Sequence, residues 1–588
     1  MNKKVKIPLF FLLSYIIFVP AINSFLKVLE SSFRIDLHTI NINFLNFFTV
    51  IFRNGFVFFI WIIINSIIVL VIKNIKITKQ NSKIEIEGVH LKRKDGTFGT
   101  ADWGTEEEIK EYLSIGKRDG IILGETDKNE VITLPMNTYL NKNIAVFGSS
   151  GSKKSRGFAI PNGIELVQEE VHKAINRDMS LVFTDPKGEL YRKLAKYLEK
   201  KGYNVKVFNL VNPEYSNGAK FINFIENEED AQIFSQIVIE GTQISKKVSV
   251  DEFWTREEMN LLKALLLYVI NYVKEEDRNM GFIYDAISSE KIKELDDLFE
   301  ETSGSTRQCY NIYARATDIT RQSIVTGLAT RLQIFQTDKI RNITNKEEII
   351  FENIGNEKTC IFVVTSDTNS AFDFLSTLFF SFLFIKLIKQ ADESKDGRLK
   401  VETSFILDEF TNIGRIVDFE KKLATTRSRG INIFMIFQNI AQLKNRYEND
   451  VWQEILGNAD TKICMGAGDI LTAEYITKYL GIATVETNAI RKLAGFDGNF
   501  TYGIENIATN KRNLMNPDEL LKLDNNKEIV IVRGRKPFIC NKYDYSKHSE
   551  ATKLEDLTRD EQKERFKDNV EIEKNEGQEK KEYSFKDF

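Results

Sequence analysis

Apolar positions follow three different patterns along the chain. Near the start they are continuous: Ile7 to Leu26 is a 20-residue run with no charge, and Gly55 to Ile72 is a second uncharged run, extended upstream by residues 43–52 and interrupted by Arg53. About 20 apolar residues in a helix cross a hydrocarbon core of about 30 Å. Pro20 and Asn23 inside the first run, and the lack of a small-residue cleavage site after it, set it apart from a cleaved leader. Lys3, Lys4 and Lys6 precede the first run, and Lys73, Lys76, Lys79 and Lys83 follow the second. The only lysines and arginines in the stretch between them are Lys27, Arg34 and Arg53. Basic residues favour the cytoplasmic side. Residues 1–73 are therefore expected to form a transmembrane hairpin anchor in the cell membrane, with two spans and both termini cytoplasmic.

The second pattern begins after a polar, glycine-punctuated stretch, 74–140, which reads as a linker and entry to a strand-rich motor domain. Short apolar runs recur at Ile144–Phe147, Leu181–Thr184, Cys360–Val364, Phe405–Leu407, Ile433–Phe437, Lys462–Met465 and Ile529–Val532. Most are rich in β-branched or aromatic residues and helical patterns separate several of them, which predicts a parallel sheet covered by helices. The fold class expected is α/β, a RecA-like motor domain split into residues 141–230 and 346–546. Between them, residues 231–345 lose the strand rhythm. Leu261, Leu262, Leu265 and Leu266 recur at helical spacing behind Phe253 and Trp254, predicting an all-helical insertion.

The third pattern is the near absence of apolar residues at the end. Residues 547–588 contain 23 charged residues of 42, 10 basic and 13 acidic. That composition predicts a disordered, solvated tail, the alternative being a docking tail that orders on a partner.

Two segments carry candidate chemistry. The run Gly148-Ser149-Ser150-Gly151-Ser152-Lys153-Lys154-Ser155 follows an apolar strand and nearly completes a phosphate-binding loop. Backbone amides of such a loop cradle phosphates, Lys154 would reach the β- and γ-phosphates, and the Ser155 hydroxyl would ligate Mg²⁺. Lys153 stands where the motif has its second glycine. Some 250 residues on, Phe405-Ile-Leu-Asp408-Glu409 is an apolar strand ending in two carboxylates. Asp408 would support the metal and Glu409 would polarise the attacking water. Together the two segments point to ATP and Mg²⁺ and to phosphoryl-transfer chemistry.

Composition narrows the choice little further. The net charge is −3 with 81 basic and 84 acidic residues, so bulk electrostatics do not mark a nucleic-acid binder. The four cysteines are widely spaced and the four histidines form no zinc signature with them, which predicts reduced structural thiols.

The order of these features, with Leu407-Asp-Glu-Phe-Thr-Asn-Ile-Gly414, Thr426-Arg427-Ser-Arg429-Gly430-Ile and Ile436-Phe-Gln438-Asn439, resembles the TraG/TraD-type coupling proteins of type IV secretion and bacterial conjugation, particularly those of Gram-positive mobile elements. Gly99-Thr-Ala-Asp-Trp103, Asp185-Pro-Lys-Gly-Glu189 and Arg533-Gly-Arg-Lys-Pro537 extend the resemblance along most of the chain. It implies a membrane-anchored ATPase, homo-hexameric when active, that receives a relaxase and its relaxosome with single-stranded DNA and passes them to the type IV secretion channel proteins. It also implies a γ-phosphate-sensing role for Gln438 and an arginine-finger role for Arg427, acting in the neighbouring subunit. An FtsK-type double-stranded DNA translocase and a nucleotide-binding docking receptor with little turnover are the competing readings.

Overall fold

A computed structural model describes residues 89–91, 96–242, 252–289, 292–366, 372–494 and 500–567. The two-span anchor expected at 1–73 lies outside the described residues. The chain divides into two units, a small one of residues 1–90 and 486–508 and a large one holding the rest. In chain order the strands are β1 (Val89–Leu91), β2 (Ser114–Ile115), β3 (Gly120–Glu125), β4 (Val131–Pro135), β5 (Ile144–Phe147), β6 (Met179–Thr184) and β7 (Asn204–Asn209). Then come β8 (Thr359–Val364), β9 (Glu402–Leu407), β10 (Ile431–Phe437), β11 (Thr461–Cys464), β12 (Ile482–Ala494), β13 (Phe500–Asn513), β14 (Lys527–Val532) and β15 (Phe538–Asn541). Strands β1, β12 and β13 form a three-stranded sheet drawn mostly from the small unit.

All seven expected strands are present, in one twelve-stranded sheet of order β2-β4-β3-β15-β14-β11-β5-β10-β9-β6-β8-β7. From β11 to β7 the neighbours pair in parallel, as the continuous apolar runs predict for strands buried on both faces. The rest of the sheet departs from expectation: β14, which contains Ile529–Val532, runs antiparallel to β11, and β15, β3, β4 and β2 continue the antiparallel half. Residues 114–135 are thus part of the sheet and not a linker. No polar–apolar alternation marks them, because β3 is buried at every position, including Gly120, Gly124 and Glu125.

Helices cover both faces. On one, Glu189–Lys200 and Ile160–Glu165 pack Leu194, Leu198 and Ile164 over β5, β6 and β8. On the other lies Asp373–Glu393, the one described helix long and apolar enough to cross a membrane. It is a core helix here: Phe379 stacks on Phe208 at 5.1 Å and Phe384 on Phe405 at 4.5 Å. Between Glu228 and Asn345 every described element is helical, and Leu261, Leu262, Leu265 and Leu266 are fully buried within it.

The expected free tail is corrected as far as Lys567. Residues 545–567 run as a strap over the Glu189–Lys200 helix. Lys193, Lys200 and Arg565 pair with Asp556, Glu555 and Glu199 at 2.8, 2.7 and 2.6 Å, and the Leu557 N–H donates to Arg192 O at 2.7 Å. Leu557 and Phe566 are buried, and His548 Nε2 lies 2.8 Å from Glu165 Oε2 inside the fold. Few apolar residues suffice here because the strap's charges of both signs complement those on the helix face, a match no local composition reveals.

Candidate functional site

The parallel strands end in register. Phe147 pairs with Phe437, Leu407 with Met435 and Thr184 with Leu407, so the residues that follow β5, β10, β9 and β6 share one edge of the sheet. Those residues are Gly148, Gln438, Asp408 and Asp185. Carboxyl edges of parallel strands are where α/β sheets bind ligands, because the chain there turns into loops and helix N-termini.

The loop after β5 turns at Gly148, whose N–H donates to Phe437 O at 3.0 Å. A Cβ at Gly148 would lie 2.3 Å from Ser152 Oγ, so the turn requires glycine. Gly151 has φ +78° and open space around its Cβ direction, as close approach by a ligand demands. Lys153 takes the left-handed conformation that glycine would adopt at the motif's second glycine position, with φ +69°. That costs a side-chain-bearing residue roughly 1 kcal/mol or more. Its Nζ turns away from the loop and donates to Asn526 Oδ1 at 2.9 Å. The helix after the loop opens with one wide turn, Ser155–Ala159, before Ile160–Glu165. Pro161, which lacks an N–H and crowds the carbonyl four residues back, accounts for the widening.

Lys154 is buried and curls over the loop, donating to Gly148 O at 2.7 Å and Ser149 O at 3.2 Å. Burial holds its ammonium below the usual lysine range, opposed by the Asp408 and Glu409 carboxylates. Ser155 Oγ donates to Asp408 Oδ2 at 3.0 Å. Asp408 is pushed up by burial, which the Ser155 hydroxyl and Lys154 partly offset. Glu409 sits at φ +50°, so its side chain turns back across the edge. Its two oxygens accept from Gln438 Nε2 at 2.8 Å and Asn412 Nδ2 at 2.9 Å. Five predicted site residues, Lys154, Ser155, Asp408, Glu409 and Gln438, are therefore brought together from three separate segments.

Arg427 is not among them. It lies in the last turn of the helix Phe419–Arg429, before β10, whereas Gln438 follows β10. The seven residues of β10 separate them by roughly 20 Å at about 3.3 Å per residue. Arg427 is exposed, and its guanidinium has no partner among the described residues. Two residues away, Arg429 forms a two-pronged pair with Asp392 at 2.8 and 2.9 Å.

The structure adds residues that carry no role in the sequence reading. Asp185 is buried beside Asp408, and its carboxyl, raised to about 6 chiefly by burial, caps the helix Glu189–Lys200 by accepting from Tyr191 N–H at 2.8 Å. The Asp-Pro-Lys-Gly run before a helix was the available signal. Lys542 Nζ donates to Ser152 O at 2.8 Å and Met465 O at 2.6 Å, backing the phosphate loop from behind. Nothing in its local sequence announced that contact, 390 residues from its partner.

The residues present suit a nucleotide phosphate with a hard cation. Ser152 Oγ is buried with no partner among the described residues, Gly151 leaves open space, and a hydroxyl and a carboxylate oxygen stand 3.0 Å apart at Ser155 and Asp408. Oxygen donors of this kind select Mg²⁺.

A family model described as type IV secretory system, conjugative DNA transfer, matches residues 98–576. The conjugal transfer protein TraG of Agrobacterium fabrum is 22% identical over 471 residues, spanning 76% of this chain and 70% of that protein. The type IV secretion system-coupling protein VirD4 of Bartonella henselae is 23% identical over 489 residues, spanning 78% and 74%. Among solved structures, the bacterial conjugative coupling protein TrwBdeltaN70 in complex with sulphate superposes with TM-score 0.57 at 15% identity, covering 78% of this chain and 96% of that one. The plasmid coupling protein TrwB in complex with ADP and Mg²⁺ superposes with TM-score 0.54 at 15% identity, covering 79% and 96%. Matched over most of its length, and folded as a mixed α/β sheet like those structures, this chain belongs to the conjugative DNA transfer family of type IV secretory systems, as a coupling protein.

Proposed function

We propose that this coupling protein hydrolyses ATP with Mg²⁺ at the edge formed by β5, β9 and β10, and uses the cycle to pass a relaxase with its attached single-stranded DNA to a type IV secretion channel. The observation that carries the reading is the hydrogen-bonded pair Gln438–Glu409 at 2.8 Å beside the pair Ser155–Asp408 at 3.0 Å, above a loop with open space at Gly151. A related coupling protein has been solved with ADP and Mg²⁺, which supports the same ligand here.

Each residue has a defined task. Loop amides from Gly148 to Lys153 bind phosphate, and Lys154 leaves its two carbonyl partners to meet the β- and γ-oxygens. Ser155 and Asp408 would hold the Mg²⁺, which when bound would supply neutralisation of charge on the phosphoryl oxygens. Glu409, oriented by Asn412 and Gln438, takes the proton of the attacking water. Gln438 shifts from Glu409 toward the γ-phosphate, so nucleotide state and base orientation are linked. Arg427, too distant to reach its own site, serves a neighbour's in a homo-hexamer, and the N-terminal hairpin holds that ring at the membrane.

The test is steady-state hydrolysis by the full-length protein with and without single-stranded DNA, beside Lys154→Ala. The expected result is DNA-stimulated turnover that Lys154→Ala lacks. Nucleotide binding without turnover under either condition would favour a docking receptor and reject the motor reading.

A further inference from the structure

The phosphate loop lacks its usual second glycine, and a distant hairpin touches it at that point. Lys153 holds the left-handed backbone at φ +69°, and its side chain is held by Asn526 at 2.9 Å. One peptide earlier, Ser152 O accepts from Lys542 Nζ at 2.8 Å; the same ammonium donates to Met465 O at 2.6 Å and lies 3.4 Å from Asn525 Oδ1. Both contacts come from the two ends of the β14–β15 hairpin. Lys527 pairs with Asn541, and Lys542 N–H donates to Asn526 O at 2.9 Å, so Asn526 and Lys542 are one rung beyond the last pair.

A trans peptide is planar, with C=O and N–H pointing to opposite sides. Fixing Ser152 O toward Lys542 therefore sends the Lys153 N–H the other way, and that N–H has no acceptor among the described residues. A glycine at 153 would adopt this backbone without help. A lysine there needs its peptide held from outside.

We propose that Lys542, assisted by Asn526, is a positioning residue of the phosphate loop: it fixes the Ser152–Lys153 peptide so that the Lys153 N–H faces a nucleotide phosphate, replacing what glycine does in the usual motif. The inference rests on the reading that this loop binds nucleotide. It also explains why Lys153 is tolerated: its side chain is the handle by which Asn526 holds the left-handed residue in place. The hairpin thereby becomes part of the nucleotide site, although it lies some 370 residues away in sequence from the loop it braces.

The measurement is the affinity of the full-length protein for N-methylanthraniloyl-ADP with Mg²⁺, followed by fluorescence, with thermal melting recorded alongside. Lys542→Met is expected to weaken binding about tenfold, the scale of a lost charged hydrogen bond, and Asn526→Ala about threefold. Lys542→Arg should recover most of the loss. In a Lys153→Gly background both losses should shrink, to under about threefold for Lys542→Met and to almost nothing for Asn526→Ala, because glycine needs no handle. Losses of equal size in both backgrounds would make the hairpin a general support and overturn the proposal, as would parental affinity in Lys542→Met. Should Lys542→Met fail to melt cooperatively, the Asn526→Ala pair decides on the same criterion, since Asn526 is exposed. Lys154→Ala separates the two readings: parental affinity in that variant would refute nucleotide binding at the loop itself, whatever the hairpin does.

Discussion

Strand β10 carries unlike chemistry at its two ends. At the carboxyl end, Gln438 joins Glu409, Asp408, Ser155 and Lys154 in a cluster whose members hydrogen-bond each other or the loop backbone. At the amino end, the exposed Arg427 guanidinium meets no partner among the described residues, while Arg429 beside it is locked onto Asp392. The first end is assembled within one chain. The second offers a cation to the outside, next to Lys142, Glu402 and Arg398 at the strands' opposite edge. A charge at the opposite strand ends from its own phosphate loop can meet such a loop only in another copy. The difference teaches that a single chain satisfies the polar groups at one end of β10 internally and turns a cation outward at the other, as the proposed role of Arg427 in a neighbour's site requires.

The strongest way to break this comparison is Arg427→Ala. It should bind nucleotide like the parent and lose a factor of about 10³ to 10⁵ in turnover, because the role proposed for Arg427 acts only on charge that develops in the transition state. Mixing it with Lys154→Ala protein should restore partial hydrolysis, since a Lys154→Ala subunit still lends its arginine to a neighbour's intact loop. Failure to rescue at every mixing ratio, with mixed assemblies confirmed by cross-linking, would return Arg427 to a role within its own chain.

Glu409→Gln tests the other end and should cost a factor of about 10² to 10⁴ in turnover at unchanged nucleotide affinity, the usual worth of a positioned base. Parental turnover would remove Glu409 from the chemistry. Gln438→Ala should have a smaller effect, about tenfold in turnover, because Asn412 still holds one oxygen of Glu409. A loss as large as that of Glu409→Gln would give Gln438 a direct part in the reaction.

Arg429→Ala sharpens the contrast by doing almost nothing to hydrolysis. Its pair with Asp392 is partly exposed, so thermal melting should report a loss within about 1 kcal/mol. An Arg429→Ala defect rivalling that of Arg427→Ala would show that the two arginines act as one unit.

How much of this is legible in the chain varies with the range of the interaction. The strands β5, β6, β8, β9, β10, β11 and β14 are visible because a strand buried on both faces needs apolar residues at every position, a local requirement. The phosphate loop and Asp408-Glu409 are visible for the same reason: a turn that cradles phosphate must be built from small residues next to a lysine and a hydroxyl. Beyond β14 the antiparallel half of the sheet is not, because β2, β3 and β4 are short, glycine-bearing or flanked by charge, and only their pairing partners make them strands. The strap is hidden for a related reason. Its charged residues describe a solvated tail until Lys193, Lys200 and Arg565 are placed opposite Asp556, Glu555 and Glu199.

Sequence by itself determined the helix and strand periods, the phosphate loop with its lysine at 153, and the Asp408-Glu409 pair at a strand end, since each of these is written in neighbouring residues. Only tertiary structure decided that Arg429 is paired where Arg427 faces outward, that Asn526 and Lys542 brace the loop, and that residues 545–567 belong to the fold. Those outcomes depend on Asp392, Ser152 and the Glu189–Lys200 helix, residues tens to hundreds of positions away. A side chain's partner is set by where the folded backbone brings it, and ion pairs and buried hydrogen bonds leave no periodic trace in the chain that makes them.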